Sequence, residues 1–409
     1  MKNKNIDMAE QLAARVRDAG GRAYYVGGYV RDQLLGRENK DIDIEVHGIP
    51  AQTLSDILDS LGERTAMGAS FGVMGLRHYD IDIAMPRSEV ATGRGHRDFA
   101  VFVDPFIGEE KAARRRDFTI NAMMEDVLTG EILDFFGGKT DLEKKLIRHV
   151  DDLTYAEDPL RVLRAAQFSA RFGFDVAEET IALGAAMALD ALARERVMGE
   201  MEKALLKAER PAVFFMQVKR MEQLEPWFGE LAGSWEACMA ALDRAARRRG
   251  EAAQPLNYML AALCAPLAPE AADRLMDRLC GRVQTVQYVR SMNALHRKIA
   301  GVPLTDPDGW MAIYDASVCP EDLPLLECAA SDAGAEAERK MRDLLTLYRN
   351  RMAQPYAMGR DLLKAGMRPG ARMGEALASA HRLRLQGASK AEQIAAAMEI
   401  LKAENGGDP

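Results

Sequence analysis

The residues best equipped for chemistry lie between positions 24 and 46, YYVGGYVRDQLLGRENKDIDIEV. Residues 24–26 read as a strand, Gly27 and Gly28 as a sharp turn, and residues 29–35 as a short helix with Val30 and Leu34 on one face. Glycines there let backbone N–H groups come close to a ligand, and the helix start behind them favours an anion. A Gly-Gly pair alone is a weak signal, and most are plain turns. The following strand carries Asp41 and Asp43 at a spacing of two, hence on one face. Neighbouring carboxylates repel unless a cation or solvent separates them, and a hard divalent ion such as magnesium takes oxygen ligands and keeps substrate phosphates in its shell. A second acidic strand, residues 79–83, offers a third carboxylate, Asp82, with Asp80 on the same face as the alternative. That set suits two-metal phosphoryl transfer: one ion activates an attacking hydroxyl, the other neutralises leaving pyrophosphate. For Asp-x-Asp in isolation, a polar edge strand is the plain alternative.

Two later segments carry further candidates. RRRDFTINAM, residues 114–123, presents Arg116, Asp117 and Asn121; taken alone, three consecutive arginines describe a solvated, salt-bridged face. EDPLRVLRAAQ, residues 157–167, predicts a helix with Pro159 at its first position and Asp158 as cap. Asp158, Arg161 and Arg164 fall on one face of it. An ordinary cap with a helix salt bridge fits the same spacing.

The elements that must position these groups change in texture near residue 150. Before it, short β-patterned runs alternate with turns and short helices, as in a small α/β domain. After it, leucine- and alanine-rich stretches at helical spacing dominate, with polar breaks around residues 244–255, 303–309 and 351–359. A chain of 409 residues with 48% hydrophobic and 28% charged content is an ordinary globular composition, of roughly two or three domains. The N-terminus reads as an amphipathic helix without signal or transit character, and no apolar run reaches the roughly 20 residues that span a bilayer, so a cytoplasmic location with no membrane role is expected. Five scattered cysteines, Cys238, Cys264, Cys280, Cys319 and Cys328, read as buried free thiols in a reducing compartment. The net charge of -8 argues against a molecule that is basic overall, so a polyanionic partner requires a confined basic surface.

GGYVRDQLLG followed by DID, with RRRDFTINAM, DFFGGKTDL and EDPLRVLRAAQFSARFGF in order, resembles the tRNA nucleotidyltransferase and poly(A) polymerase family, the bacterial branch of the DNA polymerase β-like nucleotidyltransferases. The match covers residues from about 24 to 230. It implies an α+β fold: a nucleotidyltransferase head with a small mixed sheet over residues 1–150, a helical nucleotide-recognition and neck region over 151–230, and an all-α body and tail over 231–409. By resemblance, Gly27, Gly28 and Arg31 hold the triphosphate, Asp41 and Asp43 bind magnesium, and Asp82 is the third catalytic carboxylate. Arg116, Asp117 and Asn121 contact or order the nucleotide, and Asp158, Arg161 and Arg164 complete its pocket. Cytosine and adenine both present an amino donor beside a ring-nitrogen acceptor, whereas uracil and guanine reverse the pattern. An aspartate and an arginine matched to the first pair therefore reject the second. Gln167 departs from the family, where an arginine often continues the row.

The resemblance implies template-independent addition of C, C and A to tRNA 3′ ends from CTP and ATP. Poly(A) addition, or A-only or CC-only addition, is the alternative; an inactive RNA-binding descendant would have no need of adjacent carboxylates. The neck, with Arg196, Glu200 and Lys203, orients the head. Residues 244–249, Arg382 and Arg384 are candidate RNA contacts. Nothing in the sequence implies a protein partner. No histidine is followed by aspartate, so no His-Asp phosphohydrolase is expected.

Overall fold

The structure, a computed structural model, describes residues 4–39, 41–66, 73–91, 99–299, 310–313, 320–331, 334–370 and 372–402. It divides into two compact units, Met1–Ala204 with Val213–Pro226, and Leu205–Ala212 with Trp227–Pro409.

The first unit is built on a seven-stranded sheet. Its strands are β1 (Arg22–Val26), β2 (Ile42–His47), β3 (Arg64–Ala66), β4 (Met74–Leu76), β5 (Ile81–Ala84), β8 (Met124–Asp126) and β9 (Ile132–Leu133), in the order β3-β4-β5-β2-β1-β8-β9. It is mixed: β1 runs antiparallel to β2 and β8, and β2 runs parallel to β5. Alternation explains β2: Ile42, Ile44 and Val46 are buried on one face, so Asp43 and Glu45 stand on the other. β1 sits inside the sheet, and four of its five residues are buried. Helices α1 (Lys4–Asp18), α2 (Gly28–Leu34) and α3 (Ala51–Leu61) cover it, α1 through Leu12 and Val16 and α3 through Leu54 and Leu58. Val30 of α2 is buried as the spacing predicts, but Leu34 is exposed, and the buried neighbour of Val30 is Arg31. β6 (Arg87–Ala91) and β7 (Phe99–Val103) pair as a hairpin whose connecting residues 92–98 lie outside the described residues.

Beyond the sheet, α4 (Glu109–Arg114), α5 (Gly138–Glu143) and α6 (Asp152–Ala156) lead to α7 (Leu160–Phe172). That helix ends at Gly173, whose φ of +69° is the left-handed cap that a side chain would strain. β10 (Leu146–Ile147) and β11 (Asp175–Val176) pair in parallel, and α8 (Glu178–Ala185), α9 (Arg194–Lys207) and α10 (Ala212–Arg220) follow.

Among the described residues, the regular elements of the second unit are all helices. It opens with α11 (Trp235–Ala246), α12 (Pro255–Cys264), α13 (Pro269–Leu279) and α14 (Val283–Ile299). In α12 every residue from Tyr258 to Cys264 is buried, as for a helix surrounded by others. Buried Asp322 accepts hydrogen bonds from the amides of Ala253 and Gln254 and from the Tyr288 hydroxyl, tying three segments together. Cys238, Cys264 and Cys280 are buried free thiols and Cys328 is half-buried and free; Cys319 lies outside the described residues. Arg384 is removed as an RNA contact: it is buried, donates to the carbonyls of Gln354 and Met352, and stacks on Tyr356. Arg244, Arg248 and Arg249 likewise bond inside the unit, to Ala329, Glu251 with Glu338, and Ala208. Among the described residues, no helix is long and apolar enough to cross a membrane.

Candidate active site

β1 delivers the chain to Gly27, which caps α2 at φ +66° and ψ -128°, a conformation that only glycine adopts without strain. A Cβ at Gly27 would stand 3.3 Å from Nη1 of Arg116 and 3.8 Å from Oδ2 of Asp43. At Gly28 it would meet Nη2 of Arg31 at 3.4 Å and Nδ2 of Asn39 at 3.6 Å. The missing side chains thus leave backbone, two guanidinium groups and a carboxylate around one small space.

Strand pairing sets the carboxylates. Asp41 lies just before β2 and is exposed, with its amide donating to Asn39 Oδ1. Asp43, within β2, is the register partner of Asp82 on β5, so the two side chains share a face. Asp80 precedes β5 and is tied through its own carbonyl, which accepts from the Ile42 amide. Burial pushes the Asp43 carboxyl above its ordinary value; Arg116 opposes this, while the charges of Asp82 and Asp41 add to it. Among the described residues no three His, Cys, Asp or Glu side chains converge as a ready-made metal cage. Magnesium does not need one, since it is usually held by one or two carboxylates plus water and substrate phosphates. An Asp43 whose charge is disfavoured by burial and by two like neighbours fits a hard cation.

Arg116 is positioned by a residue that the sequence reading passed over. Its Nη2 pairs with Glu45 at 3.0 Å, and the other oxygen of Glu45 meets His47 Nε2 at 2.9 Å. Burial pushes Glu45 up, but Arg116 and His47 outweigh it and hold the carboxyl below the usual range. The signal was present: Glu45 continues the Asp41, Asp43 row by two residues, onto the same face. Nε of Arg116 is buried without a hydrogen-bond partner among the described residues, a donor that a ligand oxygen would satisfy.

Asp117, Asn121, Arg31 and Arg164 form one connected network. Asp117 accepts two bonds from Arg164, at 2.8 and 2.6 Å, and one from Asn121 at 3.0 Å. Asn121 accepts from Arg31 Nη1 at 2.6 Å, and Arg31 also pairs with Asp32 at 2.7 Å. Burial raises the Asp117 carboxyl, but Arg164, Asn121 and the Phe118 amide together hold it below its ordinary value. Arg164 reaches on to Glu200 at 3.8 Å, and Glu200 meets Lys203 at 2.8 Å. Arg31, 5% exposed, is thus chiefly an internal strut with its Nη2 under Gly28.

The three residues expected on one helix face take three different partners. α7 begins at Leu160, one residue later than expected, with Pro159 in the capping position. Asp158 Oδ1 accepts from the Leu160 amide at 3.1 Å, and Oδ2 from Arg196 at 2.9 Å. Arg161 donates to the carbonyls of Thr154 and Arg115 at 2.6 and 2.8 Å. Those bonds fix its guanidinium plane and use two of five N–H groups. Gln167 is fully buried, with neither amide atom bonded among the described residues, so it lies inside the unit and does not extend an arginine row.

A mixed sheet that sets a Gly-Gly turn against carboxylates on paired strands defines a nucleotidyltransferase head, and residues 23–148 match the family described as the poly A polymerase head domain. The chain is 41% identical over 263 residues to a CCA-adding enzyme of Pseudomonas putida, covering 63% of this chain and 68% of that one, and it belongs to the CCA-adding enzyme family. It is 44% identical over 218 residues to a multifunctional CCA protein of Stenotrophomonas maltophilia, which spans 51% of this chain and about half, 52%, of that relative's length. A solved CCA-adding enzyme in an apo form superposes with a TM-score of 0.74 at 25% identity, covering 98% of this chain and 96% of that one. CCA-adding enzyme structures solved with ATP, with CTP and with tRNA, each 24% identical, share the fold with TM-scores of 0.74, 0.73 and 0.71.

Proposed function

We propose that the protein adds C, C and A to the 3′ end of tRNA, without a nucleic-acid template, from CTP and ATP. The observation that carries this reading is the Asp43–Asp82 register pair set beside the Gly27 turn and Arg116. The RNA 3′-hydroxyl oxygen forms a bond to the α-phosphorus, the α–β phosphoanhydride bond breaks, pyrophosphate leaves, and the hydroxyl proton passes to solvent or a carboxylate. Asp41 and Asp43, with Asp82 beside them, would hold magnesium, which supplies activation of the hydroxyl and charge neutralisation on the leaving group. Gly27 and Gly28 bring backbone N–H groups against the phosphates, Arg116 donates to them, and Arg31 supports that turn from below. Asp117, Asn121 and Arg164 order the sugar side of the pocket.

Base choice falls to Asp158 and Arg161. Arg196 and the Leu160 amide each take one oxygen of Asp158, leaving lone pairs for an amino donor. The orientation of Arg161 is set before a base arrives, so a uracil or guanine edge would leave buried polar groups unpaired. The relatives' names point to the same reaction, and with a tRNA substrate we place the protein in the cytoplasm. The test is incubation with magnesium, each NTP separately, and tRNA either lacking CCA or ending in CC. Addition of two C and then one A supports the reading. Repeated labelling from ATP alone on any RNA would make it a poly(A) polymerase, a single A or CC alone a partial activity, and no labelling would sink both.

A further inference from the structure

Phe168 and Phe172, one turn apart on α7, lie nearly parallel, with planes 7° apart and centroids separated by 5.7 Å. Guanidinium groups crowd this pair. Those of Arg31, Arg37 and Arg171 sit 4.6, 5.0 and 5.4 Å from the Phe172 centroid, and that of Arg164 sits 5.3 Å from Phe168. Arg31 and Arg164 have carboxylate partners, Asp32 and Asp117. Among the described residues, Arg37 and Arg171 have no carboxylate at ion-pair distance; Asp32 and Glu200 act on Arg171 only from further away. Arg171 is half-buried, and burial, with the like charges of Arg31 and Arg37, lowers its guanidinium below the ordinary value.

An aromatic face attracts a cation but does not neutralise it. Two unpaired arginines beside a third therefore leave an excess of about two positive charges on one ring, the counterpart of the carboxylate repulsion at Asp43. Guanidinium forks match phosphate oxygens, so the complementary ligand is a compact anion with more than one phosphate charge.

Position narrows the choice. In the proposed reading the base lies at Asp158 and Arg161, the sugar beside Asp117 and Arg164, and the phosphates at the Gly27–Gly28 turn, under which Arg31 Nη2 lies. Continuing along α7, Arg171 is roughly 15 Å beyond Arg161 at 1.5 Å per residue. In an in-line displacement the leaving group departs opposite the attacking hydroxyl. The far end of the nucleotide is therefore pyrophosphate, not RNA. We infer that Arg37 and Arg171 form a pyrophosphate site, which takes the terminal phosphates of the bound nucleotide and holds the pyrophosphate released from it. This inference rests on the nucleotidyl-transfer reading.

Calorimetric titration of the full chain with inorganic pyrophosphate and magnesium, without RNA or nucleotide, tests it. Arg37→Ala, at an exposed position, and Arg171→Lys, which keeps the charge but loses the fork, limit the risk of misfolding; circular dichroism checks both. Each change should weaken pyrophosphate binding by about tenfold, as expected for loss of a charge-assisted contact, with RNA affinity unaltered. Equal pyrophosphate affinity in wild type and folded Arg37→Ala overturns the inference. So does a loss that appears in tRNA binding alone, which would make the patch a backbone contact. Incorporation by the wild type is scored separately: no incorporation with the pyrophosphate effect intact removes the transfer reading but leaves an anion site, and the converse result removes only the site.

Discussion

At the scale of single residues, the site is a set of charges whose partners differ in kind. Burial and the like charges of Asp82 and Asp41 outweigh Arg116 at Asp43, while at Glu45 and Asp117 the cationic partners outweigh burial. In the proposed reading the first receives a cation; the others hold arginine donors in place. Asp82 and Asp80 are therefore unequal: only Asp82 is the register partner of Asp43 and acts on its charge. Asp82→Ala should lower CMP and AMP incorporation by more than about a hundredfold, since even outer-shell groups at metal sites cost about 10- to 100-fold, whereas Asp80→Ala should stay within a few-fold by about the same reasoning. Rates on tRNA lacking CCA, with filter binding to confirm that RNA is still held, check this; equal losses in the two variants would contradict the assignment. Arg161 ties Thr154 to Arg115, and in the proposed reading it also faces the base. Arg161→Ala should relax discrimination against UTP and GTP and also destabilise the fold by about 1–3 kcal/mol, because two carbonyls lose their donor. Misincorporation ratios and a denaturant midpoint measure the two effects; unchanged base choice in a folded variant would remove Arg161 from the pocket.

At the scale of elements, α7 and the segment before β8 are joined by Asp117 and Arg164, which stand 47 positions apart in the chain. Asp117 is 8% exposed, so an unpaired charge there would be strongly unfavourable. Its folded pKa lies below its unfolded value of about 3.9, so its stabilising contribution is complete above that pH. The contribution is lost as pH falls through the lower, folded value. Asp117→Asn should therefore melt well below the wild type at neutral pH, by several degrees, and the gap should narrow below about pH 4. Thermal melts from pH 7 to pH 3 test the sign; a constant gap would show that the charge of Asp117 is not what stabilises the link.

At the scale of the whole molecule, a net charge of -8 coexists with a proposed polyanionic substrate. Several arginines that could have formed a basic face are paired internally, Arg248 and Arg384 among them, so the surface left for RNA is confined. tRNA affinity should fall roughly 10- to 100-fold between 50 and 200 mM salt, the slope for about two to four neutralised phosphates. A salt-independent affinity would contradict a phosphate-directed grip. The residues of the proposed site that lie close in the chain were legible by themselves: Gly27, Gly28, Asp41 and Asp43 are separated by few positions, and strand alternation or turn geometry fixes such neighbours locally. The change from a small α/β head to a helical remainder was legible for the same reason, since hydrophobic periodicity is a local property. Which carboxylate faces Asp43, which residue aims Arg116, and where Arg31, Arg161 and Arg384 direct their donors were decided by tertiary structure alone. Apart from local bonds such as Arg161–Thr154, which spans seven residues, those contacts close loops from 30 residues at Arg384–Gln354 to 90 at Arg31–Asn121, and a guanidinium on its flexible stem satisfies whichever acceptor the closed chain brings near it.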